Sequence, residues 1–184
     1  MELSTLMGLP AHPLLVHAAV VLVPAAALAM ALTVLWAPAR DRLGWAAPGL
    51  AVLAALVVPV VAGSGEALQQ RVPDTALVRE HTELGEQLAP VVFALALFGV
   101  VHLLVQREAE RAAQAEPRDG RWSRRIPPWA LGTPVRIGLV VLVLLSATAS
   151  TVQVARIGHS GARAVWSENG GTARTPAPAG TAYP

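Results

Sequence analysis

Four long apolar stretches, each nearly free of charge, set the limits on what this chain can fold into. A helix rises about 1.5 Å per residue, so about 20 apolar residues cross the hydrocarbon of a bilayer. Stretches of that kind run roughly over residues 13–36, 43–62, 87–105 and 133–154. In lipid every backbone polar group needs a partner inside the segment, which makes these runs helices. The expected architecture is an all-α integral membrane four-helix bundle over residues 1–166. The Gly-, Thr-, Ala- and Pro-rich segment 167–184 has little to bury and is expected to be a disordered tail. Only 14% of residues are charged, against about 25% in soluble domains, which argues for the same class.

Details within the stretches agree with spans. Pro24 and Pro59 fall inside two of them, where lipid-embedded helices tolerate proline if neighbours satisfy the freed carbonyl. Small residues such as Ala25, Ala26, Ala96, Gly99, Ser146 and Ala147 permit close helix approach, and the same surfaces would serve a homo-oligomer. Trp36, Trp45, Trp129 and Trp166 fall near span ends, as interfacial aromatics do. The first span lacks a basic leader and is too long for a signal peptide, so it is expected to be retained.

Arginine sets the orientation. The 14 basic residues are all Arg. Arg40 and Arg42 follow the first span, and Arg107, Arg111, Arg118, Arg121, Arg124 and Arg125 follow the third. These connections share one side, and the more basic side is cytoplasmic. Both termini are therefore expected to be extracytoplasmic, in a multi-pass protein of the inner cell membrane. The arginines are scattered around apolar spans, so nucleic-acid binding is not expected, and membrane lipid is the expected surrounding partner.

Four of the five histidines fall on the expected outer side: His12 and His17 at the start of the first span, His81 before the third and His159 after the fourth. Ionisable or ligating groups at a membrane edge mark sites by default. His17 lies five residues beyond His12, roughly 7 Å deeper and turned by about 500°, so the two do not share a face. The greater depth makes His17 the stronger ligand candidate. Gly85, one turn beyond His81, leaves space beside that imidazole, and Gly158 and Gly161 do the same for His159. Glu66 reaches the same side and can orient a ligating imidazole. Arg71, Arg79, Arg156 and Arg163 can pair with propionates or anionic headgroups. His102 lies near the cytoplasmic end of the third span with only Met30 at a similar depth, so a second, inner haem is not expected. Cysteine is absent, which excludes thiolate-ligated metals, c-type haem and a cysteine nucleophile. There is no G-x-S-x-G, H-E-x-x-H or phosphate-binding loop, and Gly63-Ser64-Gly65 is too short to count. No internal repeat or intramembrane acid marks a transport path.

These features support three readings. The first is a haem b protein passing single electrons near the outer face, with His17 and His81 as axial ligands and His159 and His12 in reserve. Bis-His ligation leaves no open iron position. Quinol or an exported redox protein would be the electron donor. The second is a non-haem zinc or copper centre, in a sensor or metal-handling protein, built from His12, His17, His81 and Glu66. The third is a cofactor-free scaffold subunit whose histidines bond locally at the interface.

The opening stretch Gly8-Leu9-Pro10-Ala11-His12-Pro13-Leu14-Leu15-Val16-His17 resembles the start of the bacterial membrane-protein family DUF2231, close to G-x-P-x-H-P-x-x-V-H. The resemblance continues at His81 and at Gly158-His159-Ser160-Gly161 with Val165-Trp166, covering roughly residues 8–166. Ala162 stands where the family often has glycine, and Ser167-Glu168-Asn169-Gly170 replaces its usual His-Gly ending. The resemblance implies the four-helix fold. That form is similar to a b-type cytochrome, and some relatives are joined to Rieske-type modules, which supports redox work by analogy.

Overall fold

The computed structural model describes residues 5–6, 9–114, 127, 129 and 132–170. A short antiparallel pairing comes first, with β1 (Thr5–Leu6) against β2 (Leu9–Pro10). Six helices follow: α1 (Ala11–Leu35), α2 (Ala37–Leu43), α3 (Ala46–Gln69), α4 (Ala76–Glu86), α5 (Leu88–Gln114) and α6 (Thr133–Gly170). Helices α1, α3, α5 with α4 before it, and α6 supply four segments long and apolar enough to cross a membrane. The all-α four-helix membrane architecture expected from the sequence is therefore present.

Proline begins most of these helices. Pro13, Pro38, Pro48, Pro90 and Pro134 each lie in the first turn of α1, α2, α3, α5 and α6. There the missing N–H has no intrahelical acceptor to lose, and the fixed φ favours helix entry. Thr75 caps α4, its Oγ1 accepting from the Val78 N–H at 3.3 Å. Gly44 ends α2 with φ +48°, and its N–H donates to the Arg40 carbonyl at 2.9 Å. That left-handed turn suits glycine and reverses the chain into α3.

The spanning helices form a ring in which α1 packs on α3 and α6, and α5 packs on α3 and α6. Helices α1 and α5 lie across the diagonal. The core is made of small residues and a few larger ones: Ala26, Ala51 and Ala54 beside Val23, Met30, Val92, Leu95 and Val143. Gly99 on α5 takes the Met30 side chain so closely that a Cβ there would lie 2.8 Å from the Met30 methyl carbon. Large apolar side chains such as Val21, Leu28, Leu56, Leu97 and Leu145 point outward, as lipid-facing residues do.

The expected elements needed extension more than revision. The connection after the first span contains the short helix α2. The segment before the third span is the amphipathic helix α4, which lies on α6. The Gln153 amide donates to the Leu84 carbonyl at 2.7 Å and ties the two. Helix α6 continues 16 residues past Val154, to Gly170. Most of the expected disordered tail, residues 171–184, lies outside the described residues, as do 115–126 of the expected cytoplasmic connector.

Candidate functional site: twin serine-held imidazoles

Helix α1 begins, α3 ends, α4 lies and α6 ends at one end of the bundle, so that end gathers polar residues from all four. His12, in the first turn of α1, reaches across to the last turns of α3. Its Nδ1 lies 3.1 Å from the Ser64 Oγ and 3.2 Å from the Val61 carbonyl. Ser64 is buried and donates its hydroxyl proton to that same carbonyl at 2.7 Å. A hydroxyl has one proton, so the Ser64 oxygen presents a lone pair to the ring. Nδ1 is therefore the protonated nitrogen of His12, and Nε2 carries the free lone pair.

His81 on α4 repeats this arrangement against α6. Its Nδ1 lies 3.0 Å from the Ser160 Oγ. Ser160 is buried and donates to the Ile157 carbonyl at 3.0 Å. With the Ser160 proton directed at Ile157, the same count assigns His81 the Nδ1–H tautomer and leaves Nε2 free. Among the described residues neither Nε2 has a hydrogen-bond partner.

A glycine follows each serine and admits each ring. A Cβ at Gly65 would lie 3.0 Å from the His12 Cε1 and 3.3 Å from its Nδ1; at Gly161 the same two distances to His81 recur. The two imidazoles thus lie alike against the backbone of the following span, and are close enough to interact electrostatically. This His–Ser–Gly device joins residues 52 positions apart in one half and 79 in the other.

The other candidates are placed differently. His17 was expected to be the more buried histidine, but it is exposed, and His12 is half-buried. The His17 Nδ1 lies 2.6 Å from the Pro13 carbonyl, one turn back on its own helix. Depth along an axis does not choose a face, and the turn between the two residues sends His17 outward. Gly85 has open space around it, and Gly161 rather than Gly85 lies against His81. His159 is exposed and faces a cleft of about 360 Å³ shared with Glu80, Glu83, Arg156 and Ser160. Arg79 pairs with Asp74 at 2.8 Å, and Arg163 with Glu80 at 3.4 Å. Glu66 and Arg71 are exposed. Among the described residues no three His, Asp or Glu side chains form a group able to hold a metal ion. The expected centre of His12, His17, His81 and Glu66 is therefore not assembled, because His17 and Glu66 turn away.

The sequence reading missed Ser64 and Ser160. Their signal was the Ser–Gly pair recurring after the second span and at the end of the fourth, each paired with a histidine that opens a preceding segment.

A family model described as "Predicted membrane protein (DUF2231)" matches residues 8–174. The match begins at Gly8, where the His12 motif opens, and extends beyond Trp166. No curated protein and no solved structure matches the chain.

Proposed function

The chain belongs to the DUF2231 family of multi-pass membrane proteins, and from that premise we propose that it binds haem b between His12 and His81 and carries single electrons. The observation that carries this reading is the pair of serine-held imidazoles with free Nε2 atoms. Metal-ligating histidines commonly donate their other ring N–H to an oxygen, which fixes tautomer and orientation. Both rings here meet that condition before any ligand arrives.

The number of ligands favours haem over zinc or copper. A structural zinc site asks for four protein ligands and a catalytic one for three. Two imidazoles suffice for haem, because the macrocycle supplies the remaining four nitrogens. Haem bound there would supply one-electron redox chemistry, with His12 and His81 as the residues that would hold it. The axial pair in this reading is His12 with His81, and His17 is not a ligand. Ser64 and Ser160 hold the rings, and Gly65 and Gly161 let them approach the neighbouring helices. The exposed arginines Arg71 and Arg156 are available to propionates.

The arginine distribution supports placing this end of the bundle outside the cytoplasm, in the inner membrane. An electron donor there would be quinol or an exported redox protein. The test is the visible spectrum of the protein purified in mild detergent from haem-replete cells. A Soret band with sharp reduced α and β bands is expected. It should vanish in His12→Ala and in His81→Ala and persist in His17→Ala. A flat spectrum from the wild-type chain, or a band that survives both single substitutions, overturns the reading.

A further inference from the structure

The opposite end of the bundle holds a second concentration of polar groups. His102 on α5 is only 3% exposed, and among the described residues neither of its ring nitrogens has a hydrogen-bond partner. One nitrogen of a neutral imidazole donates and the other accepts, so both are unsatisfied. Buried polar side chains are rarely left in that condition, and in lipid still less often.

Arginines on three helices lie at the same end of the bundle as this ring. Arg40 on α2 and Arg136 in the first turn of α6 act on it electrostatically. Arg107 follows on α5 itself. Among the described residues Arg40, Arg107 and Arg136 each keep a buried Nε without a hydrogen-bond partner. Side chains of α5 reach α2 and the turn that follows it. Arg107 lies 5.7 Å from the Trp45 ring centroid, and its guanidinium abuts the Gly44 turn. Arg40 approaches the Glu110 carboxylate only at 3.9 Å, and the buried Glu108 is engaged by Arg111 at 3.5 Å. Arg40 thus has a long ion pair with Glu110, while among the described residues the buried Nε atoms and the imidazole nitrogens have no hydrogen-bond acceptor or donor.

We propose that this end of the bundle binds a phosphate group, with His102, Arg40 and Arg136 donating to its oxygens. Guanidinium forks match phosphate geometry and bind it with charge-assisted hydrogen bonds. The Nε groups of Arg40 and Arg136 and one nitrogen of His102 then gain acceptors at once. Arg107, fixed by Trp45, acts as a positioning residue that keeps the α2 turn in place. The phosphate comes either from the headgroup of an anionic phospholipid in the adjoining leaflet or from free inorganic phosphate. Basic pockets between spans on the cytoplasmic side take such headgroups. This site is independent of the haem reading and uses none of its residues.

The test is thermal unfolding of the full-length chain in phosphatidylcholine nanodiscs, with sodium chloride at matched ionic strength as control. Inorganic phosphate is added in one arm, and phosphatidylglycerol replaces part of the lipid in the other. A rise of several degrees in either arm is expected. Response to phosphate in neutral lipid identifies the free anion as a source, and response to phosphatidylglycerol alone identifies the headgroup. The rise should disappear in the Arg40→Gln/Arg136→Gln double variant. Should that variant not fold, His102→Leu removes the imidazole without leaving a buried charge, and its rise should be reduced. No rise in either arm overturns the proposal. So does a full rise in the double variant, or in His102→Leu.

Discussion

Gly161→Ala tests whether the imidazole of His81 is held by its neighbours. An added Cβ would lie 3.0 Å from the ring Cε1 and 3.3 Å from Nδ1, whereas carbon atoms normally approach to about 3.5–4.0 Å. The ring must then retreat by roughly 0.5 Å, or the helices must part. A retreat of that size stretches the 3.0 Å bond from Nδ1 to the Ser160 oxygen beyond the usual limit of about 3.2 Å. Losing that bond costs about 1 kcal/mol, and crowding in a packed site adds about 1–3 kcal/mol. Alanine in a helix interior is about 1 kcal/mol better than glycine, which offsets part of this and keeps the bundle folded. The net effect falls on the ring: about 1.4 kcal/mol is a factor of ten in affinity, so haem binding should weaken about tenfold or more. Gly158→Ala is the control, because nothing lies within 4 Å of its Cβ position. Nitrogen-15 NMR of labelled histidine reads the tautomer directly, and a haem titration followed at the Soret band reads the affinity. The Nδ1–H form of His81 should lose population in Gly161→Ala and not in Gly158→Ala. Equal tautomer populations and equal affinities in the two variants would refute the argument.

Other substitutions separate the remaining contributions. His17→Ala removes an exposed ring bonded only to its own helix, and exposed substitutions of this kind shift stability by about 0.5 kcal/mol or less; a larger fall in a detergent melt would mean that His17 packs inward. Gln153→Leu deletes the 2.7 Å bond to the Leu84 carbonyl and leaves that acceptor unpaired, at a cost of about 1–3 kcal/mol. Hydrogen exchange should then quicken across α4 before the rest of the bundle, and uniform exchange would show that this bond does not hold α4 down. His102→Leu, in neutral lipid without phosphate, replaces two unsatisfied ring nitrogens with apolar atoms and should raise stability by about 1–3 kcal/mol. A loss in the thermal midpoint under those conditions would show that the imidazole is satisfied in the membrane.

The spans were legible because a charge-free apolar run long enough to cross a bilayer has few other uses. The short helices were not. Helix α2 has seven residues and α4 is polar on one side, so neither produces the signal of a span. Helix α6 runs on through Arg156, His159 and Arg163, where the apolar run has already ended. The histidine-bearing end was legible as a place but not as a geometry. Helix α1 is apolar nearly all round, so its sequence does not reveal which face turns inward, and depth alone favoured His17. For His81, spacing along its own helix points to Gly85, which has open space around it. The glycine that matters, Gly161, comes from another helix, a contact that local spacing cannot express. The serines were hidden for the same reason: each matters only together with a histidine from another helix.

The order of helices explains why the two halves present their imidazoles alike. Around the ring, α1 is to α3 as α5, with α4 leading into it, is to α6, and α1 lies diagonally across from α5. A two-fold axis along the bundle would exchange these pairs, and under it His12 maps onto His81, Ser64 onto Ser160 and Gly65 onto Gly161. The match extends to the contact distances, 3.1 and 3.0 Å to the serine oxygens and 3.0 Å from each glycine Cβ position to Cε1. A histidine bonding merely to a convenient interfacial acceptor has no reason to repeat its partner's tautomer, serine and glycine. His17 shows that simpler solution, a single bond to its own helix. Two rings held alike, with matching nitrogens left free, are what the proposed haem would ask of its ligands. The repetition, more than the presence of histidine at a membrane edge, is the feature that simple local hydrogen bonding does not account for.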